Sequence, residues 1–220
     1  AMIANALLDI PFLLSLLSFF LTLSWSTNKK VGKYLLAGVF LGLIVSIKYP
    51  FPFIFIPTGI LFMNAYLQKE LKYALISLVV AGGIYLGQYA SYFAHNHSII
   101  DWIEFEKYRF GWWTGDRTAP KFLIFETIFT GKHRAWWSPG TYSYSPDWTP
   151  LIPLIFVLAL IAIKWIKKDF WNLIFWGFSM MTLALFALGA ASGLRYTLIV
   201  IPLWIMAIFS AVENKIQTKN

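Results

Sequence analysis

The sequence predicts an all-α fold: a polytopic membrane helical bundle of about seven transmembrane helices, with a large outer loop bearing short interfacial helices. Three observations predict it. First, the 220 residues are 59% hydrophobic, with a mean hydropathy of +0.65 and only 13% charged residues, about half the charged fraction of a soluble domain. Second, seven apolar runs approach the ~20 residues needed to cross hydrocarbon. Third, the basic residues alternate between connections as the positive-inside rule requires. This composition excludes a soluble globular domain, a disordered chain and a collagen-like one. Cysteine is absent, which excludes disulfides, thiolate metal sites and Cys nucleophiles. The 18 Lys+Arg against 10 Asp+Glu pose a question of membrane sidedness, and no nucleic-acid partner is expected.

The runs fall at 8–26, 32–48, 50–67, 72–92, 150–166, 170–189 and 195–212. Before the first, Ala1-Met2 lacks the basic region and cleavage site of a signal peptide, and reads as a cut inside a longer protein. The second and third runs are separated only by Lys48-Tyr49-Pro50 and read as a tight helical hairpin. Pro50, Pro52 and Pro57 make the third helix start late or kink. Gly38 and Gly42 form a G-x-x-x-G whose ordinary meaning is close helix packing.

One set of connections holds 10 basic residues (among them Lys29, Lys69 and Lys167) against the acids Glu70, Asp169 and Glu213. The other set holds eight basic and seven acidic residues. The first set is therefore expected inside, with the C-terminus, and the N-terminal end outside. Three regions follow: four helices over 1–92, an extracytoplasmic loop with amphipathic helices over 93–149, and three helices with a cytoplasmic tail over 150–220. The expected location is integral to the membrane and multi-pass, in the plasma membrane if the source is prokaryotic.

A structureless loop as long as 93–149 is uncommon unless functional. Two stretches in it have helical character: Ile99–Phe110 alternates apolar and charged faces, and Pro120–Thr130 carries Phe122, Ile124, Phe125, Ile128 and Phe129. Both suit helices lying flat in the interface, which accounts for part of the loop's charge as solvated residues. Two further stretches mix cations, paired Trp and turn residues. One holds Trp112, Trp113, Asp116 and Arg117; the other holds Lys132, His133, Arg134, Trp136 and Trp137. They suit a ligand with an anionic head and an apolar tail, or equally an anchor to bulk anionic lipid. Asn96-His97-Ser98 is a glycosylation sequon.

Three ionisable residues, Asp9, Lys48 and Arg195, sit at span ends on the side of that loop. Charges near hydrocarbon are expensive and usually face a polar cavity or a partner; the ordinary alternative is snorkelling to the headgroups. Their common side makes one outer cavity the main functional expectation. His95 and His97 are spaced i, i+2 without a carboxylate pair at ligand spacing, so a divalent metal is possible but not indicated and no cofactor is certain. No phosphate-cradling Gly loop, nucleophile elbow or dinucleotide fingerprint is present.

Four stretches carry a family resemblance. Ala4–Pro11, with Leu8-Asp9-Ile10-Pro11, is similar to the leucine–aspartate–x–proline start of a span in GT-C glycosyltransferases of the protein-O-mannosyltransferase and aminoarabinose-transferase type. Ala37–Tyr49 resembles their small-residue helix ending in a lysine, here Lys48. Tyr142–Pro150, with Trp148, resembles the Ser/Pro/Trp-rich end of their large outer loop, and Leu194–Pro202 resembles their late Arg-Tyr span. The resemblance implies a dolichyl- or undecaprenyl-phosphate-linked sugar as donor, an acceptor protein or lipid, and the bilayer as partners. An acceptor hydroxyl attacks the anomeric carbon with inversion, a carboxylate serves as base, and cations stabilise the departing lipid phosphate. Arg195, Lys48, Arg117, His133 and Arg134 are the expected phosphate holders, and Trp112, Trp113, Trp136, Trp137 and Trp148 the substrate-loop aromatics. The family's catalytic acid lies in a first outer loop, ahead of the region matched here. The base is therefore expected upstream of Ala1, with Asp9 and Asp116 as weak candidates within the chain. Two other classes remain open from the residues: a transporter or flippase subunit, against which the absence of inverted repeats counts, and a non-catalytic membrane scaffold.

Overall fold

The structure, a computed structural model, describes residues 2–47, 52–111, 120–134, 140–166, 169–188, 197 and 199–217. It divides into two units, residues 1–110 and 111–220.

In the first unit, α1 (Met2–Ser24), α2 (Lys30–Ile47), α3 (Pro52–Leu67) and α4 (Leu71–Gly87) are followed by the short α5 (Ala90–Ala94) and by α6 (Ile99–Gly111). The first four match the predicted runs with small shifts. Helix α3 starts late, at Pro52, a position where proline's missing N–H is no loss. The predicted 72–92 run divides: α4 ends at Gly87, and α5 is a separate turn.

Helix α2 is central and packs on α1 and α4. Phe12, Leu16, Phe19, Phe20 and Leu23 form the buried stripe of α1, and Tyr34, Ala37, Leu41 and Ile44 that of α2. The G-x-x-x-G expectation holds. A Cβ on Gly38 would lie 2.7 Å from the Ser77 carbonyl oxygen, and one on Gly42 would lie 2.8 Å from Ile84 Cβ. The bare glycine faces let the backbones approach closely enough for Ser77 Oγ to donate to the Tyr34 carbonyl at 2.6 Å.

The second unit holds α7 (Leu123–Thr130), β1 (Lys132–Arg134), β2 (Tyr142–Tyr144), α8 (Leu151–Ala162), α9 (Phe170–Ala187) and α10 (Ile201–Gln217). Helix α10 packs on α8 and α9, and α7 packs on α8, α9 and β1. Phe156 is the centre of the core, 5.2 Å from Trp204 and within 6.2 Å of Phe125 and Phe129 by ring centroid. Helix α9 begins at Asp169, whose carboxylate accepts from Asn172 N–H at 2.8 Å as an N-cap.

Two features of this unit depart from expectation. The fold is not purely helical: β1 and β2 pair antiparallel, with His133 opposite Ser143. Helix α8 is also shorter than the predicted 150–166 run. It ends at Ala162 because the chain turns at 163–165, where the Asn214 amide donates to the Trp165 carbonyl at 2.8 Å.

Among the described residues, α2 alone, with 18 residues of mean hydropathy 1.7, is long and apolar enough to cross a membrane. Five further apolar stretches have 10–17 residues: Ile10–Ser24, Ile54–Leu67, Leu71–Gly87, Leu151–Ala162 and Trp176–Ala187. The helices also expose large apolar side chains, Leu21 at 69% and Val79 at 76% among them, a surface that suits hydrocarbon better than water.

Candidate functional site

The residues expected from sequence to bind the donor fall largely outside the described part of the chain: Lys48, Asp116, Arg117, Trp112, Trp113, Trp136, Trp137 and Arg195 lie there, as does the side chain of Asp9. His133, Arg134 and Trp148 are described, all in the second unit.

His133 and Arg134 lie half-buried in β1. Their ribbon is fixed to the end of α7 by Gly131. This residue has φ +75°, a left-handed conformation that glycine adopts without penalty, and a Cβ there would lie 2.8 Å from Trp148 Cβ. Trp148 lies against that bare backbone and donates from Nε1 to the Ile128 carbonyl at 2.9 Å. Its polar atom thus serves the α7–ribbon junction. Beside it, Lys132 Nζ meets Glu126 Oε1 at 2.8 Å and sits 4.8 Å from the centre of the Tyr142 ring. The hydrogen bond to Glu126 holds the Lys132 ammonium above its ordinary pKa.

A second cluster, in the first unit, was not singled out from sequence. Helix α6 begins with a reciprocal cap: Ser98 Oγ accepts from Asp101 N–H at 3.1 Å, and Asp101 Oδ2 accepts from Ser98 N–H at 2.7 Å. The backbone and hydroxyl donors of Ser98 hold the Asp101 carboxyl below its usual range. From this start, Trp102, Phe105, Glu106 and Arg109 follow at i, i+3, i+4 and i+7, on one helix face. That face meets Tyr85 from the end of α4 and Tyr89, which precedes α5. The Trp102 ring lies edge-on to Tyr85 at 6.5 Å and to Tyr89 at 6.0 Å. Ile100 and Ile103, which lie off that face, are exposed, as is Ile99 at the helix start.

At the centre, Glu106 Oε1 accepts from Tyr89 Oη at 2.6 Å and from Arg109 Nη1 at 2.9 Å, and Arg109 Nη1 also donates to Tyr89 Oη. Burial opposes the Arg109 charge, but Glu106, Tyr89 and Tyr85 together outweigh it and the guanidinium holds its proton more firmly than usual. The second Glu106 oxygen, Oε2, is buried without a hydrogen-bond partner among the described residues, and so is Trp102 Nε1.

A third polar cluster joins α2, α3 and α4. Lys30 Nζ meets the buried Glu70 carboxylate at 2.9 Å. The Tyr34 hydroxyl influences that carboxylate from nearby, yet Tyr34 Oη and Asn64 Nδ2 make no hydrogen bond of normal geometry. Burial works against the Glu70 charge, and the Lys30 hydrogen bond, the nearby Tyr34 hydroxyl and the charges of Lys30 and Lys33 together outweigh it, so the carboxyl lies below its ordinary range.

Residues 4–93 match the family model of dolichyl-phosphate-mannose-protein mannosyltransferase. The match takes in the first two of the four stretches on which the resemblance was read, Ala4–Pro11 and Ala37–Tyr49, and supports a membrane glycosyltransferase of the mannosyltransferase kind in general. No curated protein matches the chain, and no solved structure does.

Proposed function

We propose that the protein takes part in transferring a sugar, mannose in the first instance, from a polyprenyl-phosphate donor to a protein hydroxyl on the extracytoplasmic side of the membrane. The observation that carries this reading is the family match over 4–93. The apolar helices with lipid-compatible surfaces support a membrane location. In this reading the spans number seven and 93–149 lies outside, facing the donor's leaflet. Arg195, Lys48, Arg117, His133 and Arg134 hold the lipid phosphate. Arg195 is the strongest of these, because a guanidinium holds two phosphate oxygens at once and a lysine ammonium cannot. Its charge offsets the one that develops on the phosphate as the anomeric bond breaks.

The test uses membranes expressing the protein from its intact gene, supplied with polyprenyl-phosphate mannose and a Ser/Thr peptide. Mannosyl-peptide formation above that of membranes from a deletion strain is the expected result. Arg195→Lys should weaken donor affinity by about 1–3 kcal/mol, the scale of a charge-assisted hydrogen bond. Equal transfer with and without the gene overturns the proposal.

A further inference from the structure

One end of the first unit, where α1 gives way to α2 and α3 to α4, gathers five lysines. Lys29, Lys30 and Lys33 come from the first connection and the start of α2, Lys69 and Lys72 from the second connection and the start of α4. The 2.9 Å contact of Lys30 Nζ with Glu70 joins the two connections, so the lysines share one surface. Glu70 is the one acid in the sequence from residue 10 to residue 100, and Lys30 takes its charge. Lys29, Lys69 and Lys72 are exposed and make no ion pair among the described residues. Helices α2 and α4 both begin here, and the positive ends of their dipoles add to the lysine charge instead of offsetting it.

Lys69 stands where glycine or asparagine is usual. It closes α3 with φ +56°, its N–H donating to the Tyr66 carbonyl at 3.0 Å and that of Glu70 to the Ala65 carbonyl at 2.6 Å. A cation is thus kept at this surface against a backbone preference. Around the lysines the same end exposes Trp25, Tyr66, Leu67 and Leu71. Trp and Tyr, each apolar with one polar atom, settle at the level of lipid headgroups. Cations beside such a collar fit a partner whose anionic groups lie in a plane over an apolar layer. A soluble polyanion would meet the lysines and leave the collar wet.

We propose that this end of the first unit is a docking surface for acidic phospholipids of the cytoplasmic leaflet, with Lys29, Lys69 and Lys72 on their phosphates and Trp25 and Tyr66 at headgroup level. The proposal rests on the membrane location and sidedness of the functional reading, and not on the sugar donor or the transfer reaction. A topological charge bias requires only that lysines lie in these connections; a docking surface requires that the folded protein choose between headgroups.

The test titrates the full chain, purified in detergent, with phosphatidylglycerol or with phosphatidylcholine of the same acyl chains, and counts retained lipid by native mass spectrometry. Phosphatidylglycerol should bind about tenfold more tightly. Lys29→Gln combined with Lys72→Gln should reduce that preference to about twofold. Lys107→Gln combined with Lys121→Gln changes the net charge equally at exposed lysines outside this surface and should leave the preference within about twofold of its original value. Thermal unfolding identifies a variant that fails to fold, and Lys29→Gln alone, with a loss of about threefold, then decides. Equal binding of the two lipids by the unaltered protein overturns the proposal. So does equal loss in both double variants, because net charge alone is then responsible. Displacement of phosphatidylglycerol by millimolar inorganic phosphate overturns the lipid as occupant. A protein that transfers no mannose but keeps the headgroup preference, and loses it in Lys29→Gln with Lys72→Gln, refutes the transferase reading and upholds this surface.

Discussion

Gly38→Ala isolates the contact that holds α2 against α4. The added Cβ would lie 2.7 Å from Ser77 O, 2.9 Å from Ser77 Cα and 2.9 Å from Val80 Cβ, where ordinary contact begins at 3.4 Å. Two of these atoms are backbone, so no rotamer change relieves the clash and the helices must part by several tenths of an ångström. Overpacking of this kind costs about 1–3 kcal/mol. Parting also strains the buried bond from Ser77 Oγ to the Tyr34 carbonyl, whose net worth is about 1 kcal/mol. Against this, alanine gains up to about 1 kcal/mol over glycine in helix propensity. The net expectation is a loss of about 2 kcal/mol, or roughly 4–8 °C in Tm for a chain of this size. Gly83→Ala, in α4, is the control: nothing lies within 4 Å of its Cβ, so the propensity gain stands alone and stability should hold or rise. Thermal unfolding of both variants in one detergent is the assay. A Gly38→Ala protein as stable as Gly83→Ala would refute the close approach of α2 and α4.

Other predictions rest on separate elements. Gly131→Ala should destabilise the second unit by about 2 kcal/mol or more, from the left-handed backbone and the clash with Trp148 together; unfolding followed by tryptophan fluorescence checks it. Asp169→Ala removes the α9 cap and should cost about 1 kcal/mol in the same assay. Because the Glu70 carboxyl lies below its ordinary value of 4.5 in the folded protein, its contribution is complete above that pH and is lost as pH falls through the lowered folded value. A Glu70→Gln protein should therefore be about 1 kcal/mol less stable at neutral pH and should converge on the unaltered protein in acid; a constant gap at all pH values would exclude the Lys30–Glu70 pair as the cause. Cysteine introduced at Ser26 and at Ser143 should react with impermeant reagents from opposite sides of the membrane, and equal labelling of both from one side would overturn the proposed topology.

The helices were legible wherever charge or proline marked an end. Lys30 opens α2, Pro52 opens α3 and Lys69-Glu70 separates α3 from α4. Gly38 and Gly42 were legible as packing because small residues one turn apart have few other uses. The helix expected over Ile99–Phe110 was also readable, and Ser98-Ile99-Ile100-Asp101 carried a capping signal that would have placed its start to the residue. The ribbon was not legible, since strands of three residues are too short for alternation to show. Glu106 and Arg109 were read among the loop's solvated charges because an i, i+3 pair on an amphipathic helix normally is one. Their burial depends on Tyr85 and Tyr89, about twenty residues upstream, and helical periodicity carries no record of that contact. Trp148 shows the converse: its position in an aromatic loop suggested a ligand, while its N–H serves the Ile128 carbonyl.

The central claim, a site for a lipid-linked sugar, is tested most directly by equilibrium binding of radiolabelled polyprenyl-phosphate mannose to the protein in lipid nanodiscs, with nucleotide-linked mannose as competitor. The account predicts saturable binding that unlabelled polyprenyl-phosphate mannose displaces and nucleotide-linked mannose does not. Absence of saturable binding, or displacement by the nucleotide sugar at similar concentrations, would contradict it.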